Sequence, residues 1–283
     1  MLERVMGVAE PSAESLDKPT VEGFGFEWTV YDQRKRDPAS IRATFERYFA
    51  KFPWDVLPDS ALGVDVGSGS GRWAALVAER GYRLVALDAS RDALNVTRTA
   101  VPSADVLNAS AVEMPLASDA ADFAFSLGVL HHLPNTEGAL AEIHRVLRPS
   151  APFLLYLYYA FDNRPTWFQT LWRLSDMARR RIASLPHRAR LWITTTIAAL
   201  VYWPLSRLAR LFARSGANVG SWPLSAYRDQ PFYVLRTDAL DRFGTRLEKR
   251  YTMAEIERLL TEAGFSEVSF NKEWPYWCAI ARA

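Results

Sequence analysis

The residues of this chain that could do chemistry gather in three places. The first is Val64-Asp-Val-Gly-Ser-Gly-Ser-Gly-Arg72, where a short apolar run ends in a glycine-rich turn and a helix follows. Glycine at 67, 69 and 71 permits a tight turn and lets a ligand approach the backbone. The helix behind it offers free N–H groups and positive potential to a carboxylate or phosphate. The second is Asp88, which closes the next apolar run and is placed to accept hydrogen bonds from ribose hydroxyls. The third is the pair His131-His132, imidazoles whose titration range suits proton transfer. Gly69-Ser-Gly71-Arg-Trp-Ala74 also fits the dinucleotide pattern G-x-G-x-x-A, with Asp88 near the spacing expected for NAD. That pattern does not require an acid at position 65.

These groups need a scaffold that brings loop ends together. Apolar runs at 61–66, 82–87, 104–107, 121–127 and 153–159 alternate with helical patterns at 73–80, 91–100 and 138–147. Continuous apolar strands between helices signal a parallel sheet covered on both faces. A capping box at Thr252 and Glu255 starts a further helix, and Gly264 ends it. Two closing strands, 265–270 and 276–282, are joined closely enough to form a hairpin and so an antiparallel edge. The expectation is an α/β fold: a Rossmann-like, seven-stranded, mostly parallel sheet with an antiparallel edge strand. Upstream, Asp37-Pro38 reads as a helix start, with Ile41, Phe45, Tyr48, Phe49 and Phe52 on one face. The organisation expected is an N-terminal helical cap (1–57), a cofactor-binding core (58–161 and 247–283) and a large helical insertion or lid (162–246).

Read as a whole, the glycine string resembles motif I of class I S-adenosylmethionine-dependent methyltransferases, D-x-G-x-G-x-G, in which an acid precedes the first glycine by two residues as Asp65 does. Asn108-Ala-Ser-Ala-Val-Glu-Met-Pro-Leu116 resembles that family's segment after the third strand. Ala121-Asp-Phe-Ala-Phe-Ser-Leu-Gly-Val-Leu-His-His-Leu-Pro134 is similar to the fourth-strand motif of its ubiquinone/menaquinone-type, methyltransferase domain 11-like branch, and Glu142–Pro149 to the helix before the fifth strand. Phe24–Tyr31 and Phe52–Trp54 look like the N-terminal cap of methyltransferases of sugar and natural-product pathways. The likeness covers about residues 24–160 and 250–283. It implies that S-adenosylmethionine is the cofactor, without a metal. It also implies that Gly67, Ser68, Gly69 and Gly71 line the methionine part, that Asp65 holds the loop or the ammonium, and that Asp88 and Ala89 meet ribose and adenine. Ser110 and Ala111 would lie at the adenine edge and Leu127 would face the reacting centre. Ser110 stands where the family usually has an acid. Trp28 and Tyr31 are further cofactor candidates, as aromatic walls for a sulfonium. Tyr156 and Tyr158 are of the same kind, and Tyr158 is also a candidate on the acceptor side. Methyl transfer from a sulfonium is an in-line displacement, so positioning supplies most of the catalysis. A base is needed only for a protonated acceptor; His131 and His132 are the candidates, against an ordinary packing role.

Composition sets the outer limits. The 283 residues are 49% apolar and 23% charged, an ordinary globular balance. One cysteine, Cys278, excludes an internal disulfide and a multi-cysteine metal site. The first twenty residues lack the apolar core of a signal peptide, and no window has the 18 or more apolar residues of a span, so a cytoplasmic protein is expected. Charge is unevenly spread. Between Asp162 and Arg250, sixteen Lys/Arg stand against six Asp/Glu, a net of +10, which leaves −8 for the rest of a chain of net +2. Within the insertion, residues 191–206 carry no charge, flanked by Arg190 and Arg207. That run is either a buried helix, an oligomer contact, or an interfacial helix on an anionic membrane, making peripheral membrane contact through 190–214. Arg228, Tyr233 and Arg236 are candidates for an anionic or sugar-bearing acceptor, against structural salt bridges. No nucleic-acid module is visible, so a nucleic-acid partner is not expected. The reading is a methyltransferase acting on a small-molecule acceptor: a glycan precursor, a lipid-like intermediate or a secondary metabolite. The alternatives are use of bound S-adenosylmethionine for other chemistry, a nicotinamide oxidoreductase, and a membrane-docked scaffold.

Overall fold

The computed structural model describes Val21 and residues 37–220, 222–273 and 276–283. Trp28 and Tyr31 lie outside the described residues. The chain forms two compact units: residues 1–163 with 247–283, and Arg164–Arg246.

The first unit is built on a seven-stranded sheet of order β3-β2-β1-β4-β5-β7-β6. Its strands are β1 (Leu62–Val66), β2 (Arg83–Asp88), β3 (Asp105–Asn108), β4 (Phe123–Leu127), β5 (Pro152–Tyr156), β6 (Ser266–Asn271) and β7 (Cys278–Arg282). β1 to β5 pair in parallel; β7 runs antiparallel to both β5 and β6, so the C-terminal hairpin closes that edge. Alternate side chains fill two cores. Val64, Val66, Val85, Leu87, Phe153 and Leu155 face one side, while Leu84, Phe123, Phe125 and Leu154 face the other. Burial on both faces explains why these strands read as unbroken apolar runs. Gly63 admits Phe123: a Cβ at 63 would lie 2.2 Å from that ring.

The helices α2 (Arg72–Ala78), α3 (Arg91–Ala100), α4 (Thr136–Val146) and α9 (Met253–Glu262) belong to this unit, as does α1 (Pro38–Tyr48). Asp37 starts α1 by accepting from the N–H groups of Ala39 at 3.3 Å and Ser40 at 3.1 Å. Phe45, Phe49 and Phe52 then join Trp54 against Phe123 and Phe125, an aromatic seam between α1 and the sheet. Thr252 and Glu255 form the expected capping box.

The second unit is helical: α5 (Thr166–Ala183), α6 (His187–Ile197), α7 (Trp203–Arg214) and α8 (Phe232–Gly244). A single π-turn, Ala198–Tyr202, joins α6 to α7. Pro204 accounts for it, because a proline ring inside a helix collides with the carbonyl four residues earlier and a wider turn relieves the clash. Ala198, Tyr202, Leu235, Ala239 and Phe243 form the unit's small core. Arginine does structural work around it. Buried Arg179 donates to Asp176 at 2.6 Å and to the Thr245 carbonyl at 2.7 Å, and Arg190 donates to the Gly244 carbonyl at 2.9 Å. These cations satisfy the last carbonyls of α8, where the helix dipole is negative. Burial alone would raise the Asp176 pKa; the hydrogen bonds from Arg179 and Arg180 overcome it and hold the carboxyl below its ordinary value.

Candidate active site

In an open parallel sheet the ligand crevice lies outside the carboxyl ends of the strands, where the strand order reverses. Here the reversal falls between β1 and β4. The β1 loop, the end of β2 and the turn after β4 all open there.

The loop after β1 is a chain of backbone constraints. Gly67, Gly69 and Gly71 have φ of 81°, 56° and 72°, the left-handed region that disfavours side chains. A Cβ at Gly67 would also lie 2.3 Å from Val129. The N–H groups of Gly67 and Ser68 both donate to the Leu87 carbonyl, at 2.7 and 3.0 Å. Asp88 at the end of β2 accepts from Gly69 N–H at 2.9 Å and from Ser90 N–H at 2.8 Å. So Asp88, which the Ala89 backbone N–H supports as well, fixes the glycine loop, and the lone pair left on its carboxylate is available to a ligand.

Two residues without an assigned role hold this arrangement. Thr97 on α3 donates to the Gly69 carbonyl at 2.9 Å, which leaves Ser68 Oγ to donate to it at 3.3 Å. Asn108 donates through Nδ2 to the Asp88 and Ala89 carbonyls, both at 3.0 Å. Asn108 belongs to one of the motif strings above; nothing in the sequence marks Thr97, because its partners are 28 and 29 residues away. Buried Ser110 pairs as an isolated bridge with Glu113, and its Oγ accepts from Val112 N–H at 3.4 Å. Ala111 beside it is buried. Leu127 ends β4, partly buried.

Asp65 is the anomaly. It sits on β1 between Ala86 and Phe125, buried, and its Oδ2 has no hydrogen-bond partner. Ser70 Oγ in the same loop is buried and unpartnered as well. Burial, then the nearby Asp88 carboxylate, push the Asp65 pKa well above the ordinary value; Arg72 opposes them. Burial also raises Asp88, against its backbone hydrogen bonds. A cationic ligand group would relieve both. A glycine cradle, an orphaned acidic oxygen beside it and a carboxylate at the end of β2 together fit the aminoacyl and ribose parts of S-adenosylmethionine.

The two histidines follow Gly128 in a single 3₁₀ turn, Leu130–His132, and are buried. His131 stacks on Tyr158 with ring centroids 3.8 Å apart and lies 4.0 Å from His132. Its Nδ1 accepts from Tyr158 N–H at 3.4 Å, so its proton belongs on Nε2, which is buried without a partner. Burial, His132 and Arg250 hold its pKa well below the usual histidine value. In His132 the situation is reversed. Its Nδ1 lies 2.7 Å from the Leu247 carbonyl. A carbonyl only accepts, so Nδ1 carries the proton and Nε2 the lone pair. Residues 247–251 are laced onto this turn: Lys249 N–H donates to the His131 carbonyl at 3.0 Å and Tyr251 N–H to that of Tyr158 at 2.9 Å. The Arg250 guanidinium lies 5.0 Å from the Tyr158 ring centre and donates to the buried Glu248 at 2.9 Å. Tyr156 packs edge-on to Tyr48 at 5.1 Å.

Arg228, Tyr233 and Arg236 belong to the helical unit. Arg228 pairs with Asp229 at 3.2 Å; Tyr233 and Arg236 are on α8. Among the described residues, no three His, Cys, Asp or Glu side chains gather as metal ligands.

Comparison with known proteins bears on this geometry. Residues 64–155, from β1 to β5, match the profile of the Methyltransferase domain family. The chain is 30% identical over 154 residues (53% of this chain, 29% of the relative) to the biotin biosynthesis bifunctional protein BioHC of Cellvibrio japonicus. It is 30% identical over 132 residues (46% of this chain, 19% of the relative) to the tRNA (carboxymethyluridine(34)-5-O)-methyltransferase of Macaca fascicularis. The chain thus spans less than a third of either relative's length. In fold it is similar to 1,6-didemethyltoxoflavin-N1-methyltransferase of Burkholderia thailandensis, a structure containing S-adenosylhomocysteine. That likeness has 18% identity and a TM-score of 0.50, over 98% of this chain and 94% of that one. Residues 64–155 thus carry a match to the Methyltransferase domain family, and the glycine loop and the acids at 65 and 88 all fall inside that match.

Proposed function

We propose that this chain transfers a methyl group from S-adenosylmethionine to an oxygen or nitrogen of a small acceptor: a glycan precursor, a lipid-like intermediate or a secondary metabolite. The observation that carries the reading is the unpartnered Oδ2 of Asp65 beside the glycine cradle. A buried acid without a partner is costly, and a ligand ammonium offsets that cost. In this reading Gly67, Ser68, Gly69 and Gly71 hold the aminoacyl end together with Asp65. Asp88 holds the ribose hydroxyls, Ala89, Ser110 and Ala111 border the adenine, and Leu127 faces the reacting centre. When bound, the cofactor supplies a methyl group on a sulfonium, already activated for displacement. What the chain adds is alignment and exclusion of water, worth several kcal/mol of barrier.

An acceptor that arrives protonated needs a base, and His132 is our candidate because its Nε2 holds the lone pair. His131, kept neutral with its proton on Nε2, orients the pair and Tyr158. Arg228, Tyr233 and Arg236 are our candidates for acceptor contacts in the helical unit. The relative acting on tRNA supports a second acceptor class, and one experiment separates them. Protein incubated with radiolabelled S-adenosylmethionine and a cell extract is fractionated into RNA and small metabolites. Label in the metabolite fraction supports the first reading, and label in RNA replaces it with the second. The cofactor is tested by calorimetry: S-adenosylhomocysteine binds and NAD does not, and the opposite result overturns the assignment. His132→Gln lowers kcat by about a hundredfold or more and removes the acidic limb of the pH profile if His132 takes the proton; an unchanged profile rejects that role.

A further inference from the structure

The helical unit turns an unusual amount of apolar surface outward. On α7, Ser206 and Ala209 form the buried side, continuing from Tyr202 of the π-turn. Leu205, Leu208, Leu211 and Phe212 lie on a different side and are exposed, Leu211 by 64%. One turn before them Leu200 is 72% exposed, and on α6 Trp192 is 75% exposed. On α5, Trp167, Leu171, Leu174 and Met177 recur at helical spacing and are all exposed, Leu174 by 60%. Apolar patches of this extent mark an interaction surface, since isolated exposed leucines would be ordinary but rows of them are not.

Charge selects the partner. Arg164–Arg246 contains fourteen arginines, no lysine and four aspartates, a net of +10. Arg207, Arg210 and Arg214 run along α7 between its buried and exposed sides. Arg181, Arg188 and Arg214 are exposed. Two copies of such a unit pressed together would oppose two strongly positive surfaces. An anionic lipid surface complements both features: phosphates for arginine forks, and acyl chains for the leucine row. Depth agrees as well. One side of α7 is packed inside the unit, so only its outer half can enter lipid, which is the shallow seat of an interfacial helix. Among the described residues no helix is long and apolar enough to cross a membrane.

We infer that the outer face of α7, with the exposed residues before it, is a docking surface for an anionic lipid bilayer. Docking is independent of methyl transfer, and its test uses the whole chain without cofactor. The protein is sedimented with vesicles of phosphatidylcholine alone or with about 30% phosphatidylglycerol. Binding is expected to the anionic vesicles, weakening steeply with salt. Leu208→Glu with Leu211→Glu is expected to weaken partitioning by about tenfold per leucine. Arg181→Gln, Arg188→Gln and Arg214→Gln together reduce it about a hundredfold, at about fivefold per surface cation. All these positions are solvent-exposed, and unchanged thermal melts identify folded variants. For a second readout, vesicles with brominated acyl chains should quench tryptophan emission in the unmodified protein, and Trp192→Phe should reduce that quenching. Failure to bind anionic vesicles, equal binding to both vesicle types, or full binding by the double glutamate variant overturns the inference. So does a dimer in sedimentation velocity that the glutamate pair dissociates without any change in vesicle binding, which would assign the face to a second copy of this chain.

Discussion

The two units of this chain treat apolar surface in opposite ways. In the sheet unit, Phe123, Phe125, Phe153 and Leu154 are wholly buried, and the unit carries a net charge of −8 around them. In the helical unit the buried core is five side chains, while more leucines and tryptophans face outward than inward, among fourteen arginines. A domain that must hold a loop to within an ångström invests its hydrophobic area in rigidity. One that leaves such area in water is kept that way by something it meets, because exposure gains nothing for the isolated fold. In the reading proposed above, the difference separates a part that positions chemistry from a part that makes contact.

The sharpest way to break this comparison is to make one substitution in both units. Leu154→Ala removes a fully buried side chain between two strands and is expected to cost about 3 kcal/mol in urea unfolding; a cost under about 1 kcal/mol would mean the sheet core is loose. Next in size is Gly67→Ala. It forces a side chain into left-handed backbone and against Val129, and should cost about 2–3 kcal/mol of stability and abolish measurable S-adenosylhomocysteine binding in calorimetry. Asp65→Asn keeps the shape but removes the charge, so affinity for S-adenosylhomocysteine should fall by about tenfold or more while the fold stays intact by circular dichroism. The smallest effect belongs to Leu208→Ala on the outer face of α7, within about 0.5 kcal/mol. A larger loss would show that this leucine is packed in solution.

Asp65 also predicts a pH dependence. Its folded pKa is raised, so the ligand-free fold holds a proton that the unfolded chain releases. The stability that this provides is fully present below about pH 4, the unfolded carboxyl value, and is lost as pH rises through the raised folded value. Asp88 acts in the same direction. A ligand ammonium prefers the ionised carboxylate, so binding expels the proton and affinity rises with pH over the same window. Calorimetry in buffers of different ionisation enthalpy measures the released proton; Asp65→Asn should abolish its share.

Much of the sheet was legible because buried strands and capped helices leave local marks. The run at 82–87 is β2, displaced by one residue, and Asp37-Pro38 and Thr252–Glu255 begin their helices where their side chains can cap. The glycine loop was equally plain, since only small residues tolerate its backbone. What clamps the loop was not. Thr97 reaches Gly69 across the fold, and a threonine in the middle of a helical pattern carries no trace of that partner. The Leu247 carbonyl that sets the tautomer of His132 is 115 residues distant. The uncharged run at 191–206 was ambiguous for another reason. Periodicity tells which residues share a side of a helix; it does not tell whether anything covers that side.

The wide turn at Ala198–Tyr202 has an evolutionary consequence. It accommodates one more residue than a regular helix would, so everything after it is rotated by roughly a quarter turn. Loss of a single codon there, with Pro204 replaced, would swing the greasy row of α7 toward its neighbours and leave a different stripe in water. A lineage could gain or silence this surface by one in-frame deletion, leaving the codons of the sheet unit untouched.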